Sequence, residues 1–433
     1  MNLGKHIDQI KNGGLITVLK KLRTLAFLIL QIPIYLISIP SVILIRLIKP
    51  WYLIRWDGLT SSRIGHFATD TELYSCKREA KINEPAQKYI DIFFLKSKYI
   101  CNKQLEKMLR RNLKIIPAFF LLPLFRINRF FNLFIKGGDQ HEIGINPNED
   151  RDVYNIVNKY KPHISFTEEE EQRGKKILNN FGIPENSKFV CLAVRDSAYL
   201  DRQKDYNKIR SFAYHNYRDG NIEKYVLAAE ELAKRGYYVF RMGAKVHRAL
   251  KSSNPKIIDY ANSKMRSDFM DIYLGAKCTF CISTWLGFDA IPFVFRKPIA
   301  FIFLPFGHLK AENEKDLLIT KHHINKINKK NLNISEIFSS KVALSFSSEE
   351  YEKNNIELKE NTSEEIKDFV IEMDERINNN WKETEEDIFL QNKFWSVFKD
   401  NLNKLNLKNP IYNIKIKAKF GAKFLRDNQD WIK

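Results

Sequence analysis

Short apolar segments alternate with helical segments from about residue 186 onward, and this alternation constrains the fold more than any other feature. The segments KFVCLAV, YYVFRMG, KIIDYA, CTFCIS and IAFIFL are short and apolar, as buried strands are. Between them lie helical segments at 221–236 and 267–276, which begin at a capping Asn and a capping Ser. Strands that alternate with helices form a parallel sheet with covered faces. This half of the chain is therefore predicted to have an α/β fold.

A shorter α/β pattern precedes it, over residues 51–136. WYLIRW, KYIDIFFLKS and LKIIP are predicted strands, with helices predicted between them. The segment 118–138 carries large apolar residues interrupted by Arg126, Arg129 and Lys136. Long basic side chains among apolar residues suit a membrane surface, and the alternative is an ordinary core helix.

The predicted organisation has five parts. They are a membrane-associated segment at 1–50, a Rossmann-like domain at 51–136, a linker region at 137–185, a second Rossmann-like domain at 186–345, and C-terminal helices with a basic tail at 346–433. The linker is placed where Gly, Asn and Asp are frequent. The tail segment 401–425 contains six lysines and no acidic residue, which is typical of a solvated surface.

Residues 25–45, LAFLILQIPIYLISIPSVILI, contain no charged residue. At about 1.5 Å per residue, a helix of this length reaches roughly the thickness of the hydrocarbon core of a bilayer. Basic residues flank it on both sides, which does not fit the positive-inside pattern of a simple span. Pro33 and Pro40 are able to break it into a re-entrant hairpin. Membrane association is predicted, spanning and re-entrant arrangements stay open, and the alternative is a buried core segment.

The formal net charge of +20 favours anionic partners, namely nucleic acid, acidic lipid or phosphorylated substrates. No nucleic-acid-binding motif is present, and many basic residues lie beside the membrane-like segment. The predicted partner is therefore an anionic membrane surface and not nucleic acid. Five scattered cysteines do not form a disulfide framework, which indicates reduced thiols on the cytosolic side of the inner or cytoplasmic membrane.

Cys278 and Cys281 match the Cys-x-x-Cys spacing of zinc and redox sites. They lie in a predicted strand, where side chains three residues apart point to opposite faces. A redox motif of this kind starts a helix, and a zinc site needs two further ligands at a recognisable spacing. We therefore interpret both cysteines as core residues, and no metal site is predicted.

Polar residues follow the predicted strands where each strand ends. Ligands of open α/β sheets bind outside the carboxyl ends of the strands, and arginines together with helix N-termini bind phosphate. Carboxylates at the same edge suit ribose or sugar hydroxyls. The residues predicted to bind a diphosphate and sugar hydroxyls at this edge are Arg195, Asp196, Arg241, Gly243, Asp259, Ser283, Thr284 and Gly287. For Ser283 and Thr284 the alternative is a capping turn without a ligand.

The segment RIGHFATD places Gly65, His66 and Asp70 in a loop that leads into a helix. A glycine permits close approach of the backbone, so Gly65 is predicted to lie in the acceptor-side loop. His66 or Asp70 is the candidate general base for an acceptor hydroxyl, and the alternative is a structural histidine. No phosphate-binding Gly-x-x-x-x-Gly-Lys-Ser/Thr and no Gly-x-Gly-x-x-Gly motif occurs.

These segments together resemble a family of bacterial glycosyltransferases with the two-domain GT-B architecture. The resembling elements are RIGHFATDTELY, VRDSAYL, HNYRD, LAKRGYYVFRMG, IIDYA, SDFMDIYLGAKCTFCISTWLG and FGAKFLRDNQDWI. The resemblance implies two Rossmann-type domains that face each other across a cleft. It also implies a nucleotide-sugar donor in the second domain and a polysaccharide or lipid-linked glycan acceptor held by the first.

The expected function is metal-independent glycosyl transfer at the cytosolic membrane face, with a nucleotide sugar as substrate and no cofactor. The alternative is a non-catalytic, membrane-anchored scaffold of a polysaccharide assembly complex. The glycosyltransferase is expected to bind a nucleotide sugar, and the scaffold is not. The sequence leaves open the sugar, the nucleotide, the acceptor, inversion or retention, and the oligomeric state.

Overall fold

The computed structural model describes residues 3–145, 151–199, 201, 213–309, 313–408, 412 and 416–433. The chain forms two compact units. The small unit comprises Met1–Ser62, Asn83–Tyr99 and Arg110–Ile145, and the large unit comprises Arg63–Ile82, Ile100–Leu109 and Asn146–Lys433. The predicted domains are continuous in sequence, whereas both units are assembled from separated segments.

In chain order the described helices are α1 Leu3–Ile48, α2 Ile64–Glu79, α3 Lys103–Asn112, α4 Ala118–Asn132, α5 Glu168–Asn180, α6 Val226–Lys234, α7 Asp268–Lys277, α8 Ala290–Val294, α9 Ile334–Ser339, α10 Ser348–Lys353, α11 Ser363–Ile377, α12 Glu385–Lys404 and α13 Ala422–Asp427. The described strands are β1 Tyr52–Leu59, β2 Lys88–Leu95, β3 Phe189–Ala193, β4 Tyr238–Arg241, β5 Ile257–Ile258, β6 Phe280–Ser283, β7 Ile299–Ile302, β8 Leu317–Ile319, β9 His322–Asn325, β10 Ile356–Lys359 and β11 Lys419–Phe420.

The large unit is built on a seven-stranded parallel sheet in the order β11-β8-β7-β6-β3-β4-β5. The strands β3, β6 and β7 are buried at every residue, as expected for a sheet covered on both faces. The helix α7 begins at Ser267, whose hydroxyl accepts a hydrogen bond from the Met270 amide. The α/β fold with a large parallel sheet is confirmed, and so are the five predicted strands of this half.

In the small unit, β1 and β2 form a parallel pair. The predicted third strand, LKIIP, contributes only an isolated bridge between Phe93 and Ile115. The pair β1–β2 packs with α4 around Trp56, Phe94 and Leu121. This part of the chain therefore holds a smaller parallel sheet than a complete Rossmann domain, and the arrangement of two facing domains stays a prediction.

The region predicted as a linker contains regular structure where it is described. Thr167 and Glu170 form a capping box at the start of α5, in which each side chain accepts a hydrogen bond from the other residue's amide. Residues 146–150 of the same region lie outside the described part of the chain.

The helix α1 runs from Leu3 to Ile48 with Pro33 and Pro40 inside it. A re-entrant hairpin broken at these prolines is therefore not formed. The segment Ile29–Ile48 is long and apolar enough to cross a membrane.

The C-terminal segment exposes Lys404, Lys408 and Lys423, as a solvated tail does, but it also contributes a strand to the large sheet. β11 pairs in parallel with β8 and forms the edge of the large sheet. Phe420 is fully buried, with its ring 4.3 Å from that of Phe394 and 5.4 Å from that of Trp431. The strand is not recognisable from the sequence, because its apolar residues are interspersed among lysines. Its burial depends on pairing with a strand about 100 residues earlier.

We expect Phe420→Ala to lower the free energy of unfolding by about 3–5 kcal/mol, since it leaves a cavity among packed aromatic rings. Urea denaturation measures this. The matched control is Phe389→Ala in α12, whose side chain is 62% exposed and should change stability by less than about 0.5 kcal/mol. Equal effects of the two substitutions would show that the C-terminal strand is not docked.

Candidate functional site

A pocket of about 360 Å³ lies in the large unit at the carboxyl ends of β3, β4 and β6. Four segments line most of it: the start of α2, the residues after β3, the loop after β4, and the turn after β6. Parallel strands end at the same edge of a sheet, so this is the position where ligands of open α/β sheets bind.

Four basic residues come together on one side of the pocket. They are Arg63, Arg195, His215 and Arg218. Burial and the positive charges of Arg218, Arg195 and Arg63 lower the pKa of His215 to about 3. His215 is therefore neutral at physiological pH, and three guanidiniums define the charge of this side. Such a cluster attracts an anion with several oxygens.

Arg195 is held rigidly at the end of β3. Its backbone amide donates to the hydroxyl of Thr284 at 2.8 Å, and its Nη1 donates to the carboxylate of Asp219. The other terminal nitrogen, Nη2, is buried without a hydrogen-bond partner among the residues that the structure describes, and the residue is only 6% exposed. Burial, followed by the charge of Arg218, lowers the pKa of Arg195 to about 10. A buried cationic donor without an acceptor is costly, so it is a candidate contact for an anionic ligand.

Arg218 lies over the indole of Trp285, with its guanidinium carbon 4.9 Å from the ring centroid. Its Nη1 donates to the Trp285 carbonyl at 3.3 Å. Trp285 in turn stacks on Phe303 at 4.6 Å. A guanidinium stacked on an aromatic ring keeps its N–H groups in a fixed plane, which suits hydrogen bonding to phosphate oxygens.

The N-terminus of α2 forms a second wall of the pocket. Its first turn contains no acidic residue, and the side chain of its N-cap residue, Arg63, makes no capping hydrogen bond. Exposed amides and the helix dipole make such an end favourable for anions. Gly65 and Gly287 permit this placement, because a Cβ on Gly65 would lie 3.3 Å from the Gly287 Cα. The glycines therefore serve close packing of two backbones.

His66 lines the pocket one turn before Asp70 on α2. The His66 Nδ1 and an Asp70 carboxylate oxygen are 3.6 Å apart, and the Asp70 side chain is 5% exposed. A pocket-facing imidazole with a buried carboxylate behind it is the arrangement of a general base and its orienting acid.

The predicted acidic residues of the sheet edge organise the loop after β4. Asp196 accepts from the amides of Ala198 and His247, and Asp259 accepts from the amide of Leu250. Arg241 lies between the two carboxylates, 3.8 Å from Asp196 and 3.4 Å from Asp259, and is 1% exposed. Arg241 therefore links two strand ends from inside the protein.

The hydroxyls of Ser283 and Thr284 are used within the protein. Ser283 donates to Asp289, and Thr284 accepts from the Arg195 amide. Both side chains are buried. The turn after β6 therefore shapes the pocket from behind, as in the capping alternative.

The structure brings about half of the predicted site residues to the pocket wall. Those on the wall are Gly65, His66, Arg195, Asp196, Gly243 and Gly287. Those that do not line it are Asp70, Arg241, Asp259, Ser283 and Thr284. Sequence reasoning missed Arg63, His215 and Arg218, although they lie in the segments RIGH and HNYRD. In the described part of the chain, His215 and Arg218 do not lie at the end of a strand, so the strand-end argument does not reach them.

Lys321, at the end of β8, supports the segment that carries Arg218. Its Nζ donates to the carbonyls of Tyr217, at 3.2 Å, and of Asp219. The side chain is buried, which lowers the pKa of Lys321 to about 8. Since Asp219 also pairs with Arg195, Lys321 acts as a positioning residue for both arginines.

Glu72, Cys76 and His163 place possible metal-ligand atoms within 4.8 Å of one another, away from the pocket wall. Arg296 donates to Glu72 and lies 3.7 Å from the Cys76 sulfur. Burial, followed by Glu72, raises the pKa of Cys76 to about 12. A cation inside the cluster and a protonated thiol both oppose metal binding, so this group is a buried ion-pair network.

Cys278 and Cys281 are fully buried and free, as the core interpretation predicts. Cys281 lies in β6 opposite Cys191 of β3. Burial raises the pKa of Cys281 well above its ordinary value, so the thiol stays protonated.

No protein-family model and no curated protein matches the chain. Among solved structures it aligns with a family 9 glycosyl transferase from Veillonella parvula, with 10% identity and a TM-score of 0.35, over 57% of this chain and 80% of that one. It also aligns with ADP-heptose LPS heptosyltransferase II from E. coli, with 11% identity and a TM-score of 0.33, over 57% of this chain and 84% of that one. With TM-scores this low, neither alignment assigns a function to this chain.

Lys321→Met should weaken binding of an anion with several oxygens, such as pyrophosphate, by roughly 10-fold, because the 217–219 turn loses the donor that holds two of its carbonyls. Isothermal titration calorimetry with pyrophosphate measures this, and circular dichroism checks the fold. Lys353→Met is the control, since that side chain is 66% exposed. If Lys321→Met binds as the wild type does, the turn does not depend on this lysine.

Stability should depend on the pH through His163. A hydrogen bond to Glu72 raises the pKa of His163 above 6.5. The raised pKa means that this pair stabilises the protein fully below about pH 6.5, and that the stabilisation is lost as the pH rises through the folded pKa. Urea midpoints at about pH 6 and about pH 9 should differ less in His163→Gln than in the wild type. An unchanged difference would exclude the pair as its source.

Proposed function

We propose that the protein is a glycosyltransferase that moves a sugar from a nucleotide-sugar donor to a polysaccharide or lipid-linked glycan acceptor. The single observation that carries this proposal is the buried Nη2 of Arg195, which has no hydrogen-bond partner in the described part of the chain and lies in a pocket that also holds Arg63 and Arg218. The resemblance in the sequence implies the same class of enzyme.

The cationic side of the pocket suits the diphosphate of the donor. Arg195 and Arg218 offer N–H groups from fixed positions, and the uncapped amides at the start of α2 complete the set. Three guanidiniums neutralise a diphosphate without a metal ion, so we propose a metal-independent reaction. No separate cofactor is needed, because the nucleotide sugar is itself a substrate.

The other side of the pocket suits the nucleoside. The loop after β4 contributes the apolar side chains of Met242 and Val246. Arg266 and Asp271, whose charged groups are 3.0 Å apart, also line the pocket. A planar base can pack on the apolar side chains while its polar edge meets these two charged groups.

His66 is the proposed general base if the reaction inverts the anomeric centre. The acceptor hydroxyl oxygen attacks the anomeric carbon, the bond from that carbon to the phosphate oxygen breaks, and the proton moves to the imidazole. Asp70 stabilises the imidazolium that forms. The arginines stabilise the charge that develops on the nucleoside diphosphate as it leaves.

The acceptor is proposed to come from the membrane, in keeping with the apolar segment Ile29–Ile48 of α1. The proposed location is the inner or cytoplasmic membrane, with the pocket in the cytosol, where nucleotide sugars are made. Its partners would be a nucleotide sugar, a glycan or lipid-linked acceptor and an anionic membrane surface, and not nucleic acid.

Arg195→Ala and Arg218→Gln should each weaken binding of a nucleoside diphosphate by roughly 10- to 100-fold, since each removes charge-assisted hydrogen bonds to phosphate. Calorimetry with ADP, GDP and UDP measures the affinity. Arg173→Ala is the control, because this arginine is exposed and stacks on Phe269 outside the pocket. Wild-type protein that binds none of the three nucleotides would favour the non-catalytic scaffold.

His66→Ala should lower kcat for sugar transfer by roughly 100-fold or more while the affinity for the nucleotide changes little. A transfer assay with the donor that binds best separates the two quantities. A parallel loss of nucleotide affinity would instead place His66 in the donor site, and full activity would exclude it as the base.

A further inference from the structure

The two sides of α1 between Ile29 and Ile48 differ sharply. On one side Ser38 and Val42 are buried, and Ile45 packs on the cluster of Trp56, Phe94 and Leu121 in the small unit. On the adjacent side Leu30, Ile37 and Leu44 are 65%, 66% and 60% exposed, and on the opposite side Leu36 and Leu47 are 63% and 65% exposed. One face of this segment is therefore covered by protein, and the rest of its surface is apolar and open.

The helix α4 packs along the covered face of α1. Arg126 of α4 donates to the hydroxyl of Tyr35 at 2.7 Å. Arg46 of α1 donates to the side chain of Asn128 at 3.0 Å and to the carbonyl of Ile135 at 3.0 Å. If Ile29–Ile48 crossed a bilayer, α4 with its arginines would be drawn into the hydrocarbon core beside it, where ionisable groups are strongly disfavoured.

The solvent-facing side of α4 and the turn after it combine large apolar with basic residues. Phe130 is 55% exposed, Leu133 76%, Phe134 74% and Ile135 65%. Arg126 and Arg129 lie on the same face at helical spacing, and Lys136 follows. Apolar side chains interleaved with long basic ones are typical of helices that lie in the plane of a membrane interface.

Charge complementarity identifies the partner. The small unit contains 17 Lys and Arg against 6 Asp and Glu, a formal net charge of +11 of the +20 carried by the whole chain. Anionic phospholipid headgroups attract such a surface, and an apolar helix face enters the acyl region next to them.

We infer that α1 does not cross the membrane between Ile29 and Ile48, and that this segment lies in the plane of an anionic bilayer together with α4. The open face of α1 and the side chains of Phe130, Leu133 and Phe134 enter one leaflet, while basic residues contact the headgroups. This inference refines the proposed membrane attachment and is independent of glycosyl transfer.

Depth measurements test the orientation of α1. Leu30→Cys, Ile37→Cys and Leu44→Cys place a label on the same exposed face at intervals of seven residues, or about 10 Å along the helix. On vesicles of phosphatidylcholine with phosphatidylglycerol, quenching by brominated lipids should give nearly equal, shallow depths for all three. Depths that change by about 10 Å from one label to the next would show a crossing helix and overturn the inference.

The unmodified protein is the labelling control, since Cys76, Cys191, Cys278 and Cys281 are buried and Cys101 is partly buried.

Flotation with the same vesicles tests the contribution of α4. The double substitution Phe130→Glu with Phe134→Glu should reduce binding at least 10-fold, whereas Phe389→Glu, on the exposed face of α12, should leave it unchanged. Wild-type binding should also fall on pure phosphatidylcholine and at high salt. Equal binding of the double variant and the wild type, or wild-type binding that does not depend on anionic lipid, would overturn the inference.

Neither vesicle experiment contains a nucleotide. A protein that binds vesicles as expected but fails to bind nucleoside diphosphates would refute the proposed enzyme and leave the membrane inference standing.

Discussion

The candidate site depends on how Arg195 is held. Its amide donates a hydrogen bond to Thr284 and one side of its guanidinium pairs with Asp219, while the other terminal nitrogen is buried away from water. A flexible surface arginine would lose much conformational entropy on meeting a ligand, whereas this one has already lost it during folding. The folded protein therefore carries the unfavourable desolvation free energy of a buried cation, and binding of an anionic ligand would offset it. Other parts of the pocket help to hold this group. Lys321 fixes the turn that carries Asp219, and the turn after β6 supplies Thr284.

Much of the sheet could be predicted, because the chemistry of a buried parallel strand is local. Each of β3, β4, β6 and β7 is short, apolar and bounded by polar residues. Arg195, Gly243 and Gly287, which follow β3, β4 and β6, line the pocket. Strand ends in a parallel sheet lie at one edge by geometry, so the position of the site followed from the alternation of strands and helices.

The roles of individual side chains were harder to predict, because hydrogen-bond partners come from distant parts of the chain. Ser283 and Thr284 resemble ligand-binding hydroxyls in sequence, but Asp289 and the Arg195 amide already use them. Arg218 becomes a pocket residue through a carbonyl contact to Trp285, 67 residues away. The strand β11 was hidden in a lysine-rich segment, since its neighbour β8 lies about 100 residues earlier. In each case a tertiary contact decides what the local pattern leaves open.

The assembly of the units from separated segments has a consequence for how the chain can be made and divided. The polypeptide passes from one unit to the other five times before residue 146. The helix α2, which carries His66, buries Phe67 and Leu73 in the large unit and packs against α8, more than 200 residues later. During synthesis this helix lacks that packing partner until the ribosome has passed the strand β6. No single cut in the chain separates the units. A fragment that begins at residue 146 would therefore lack α2, which forms one wall of the pocket.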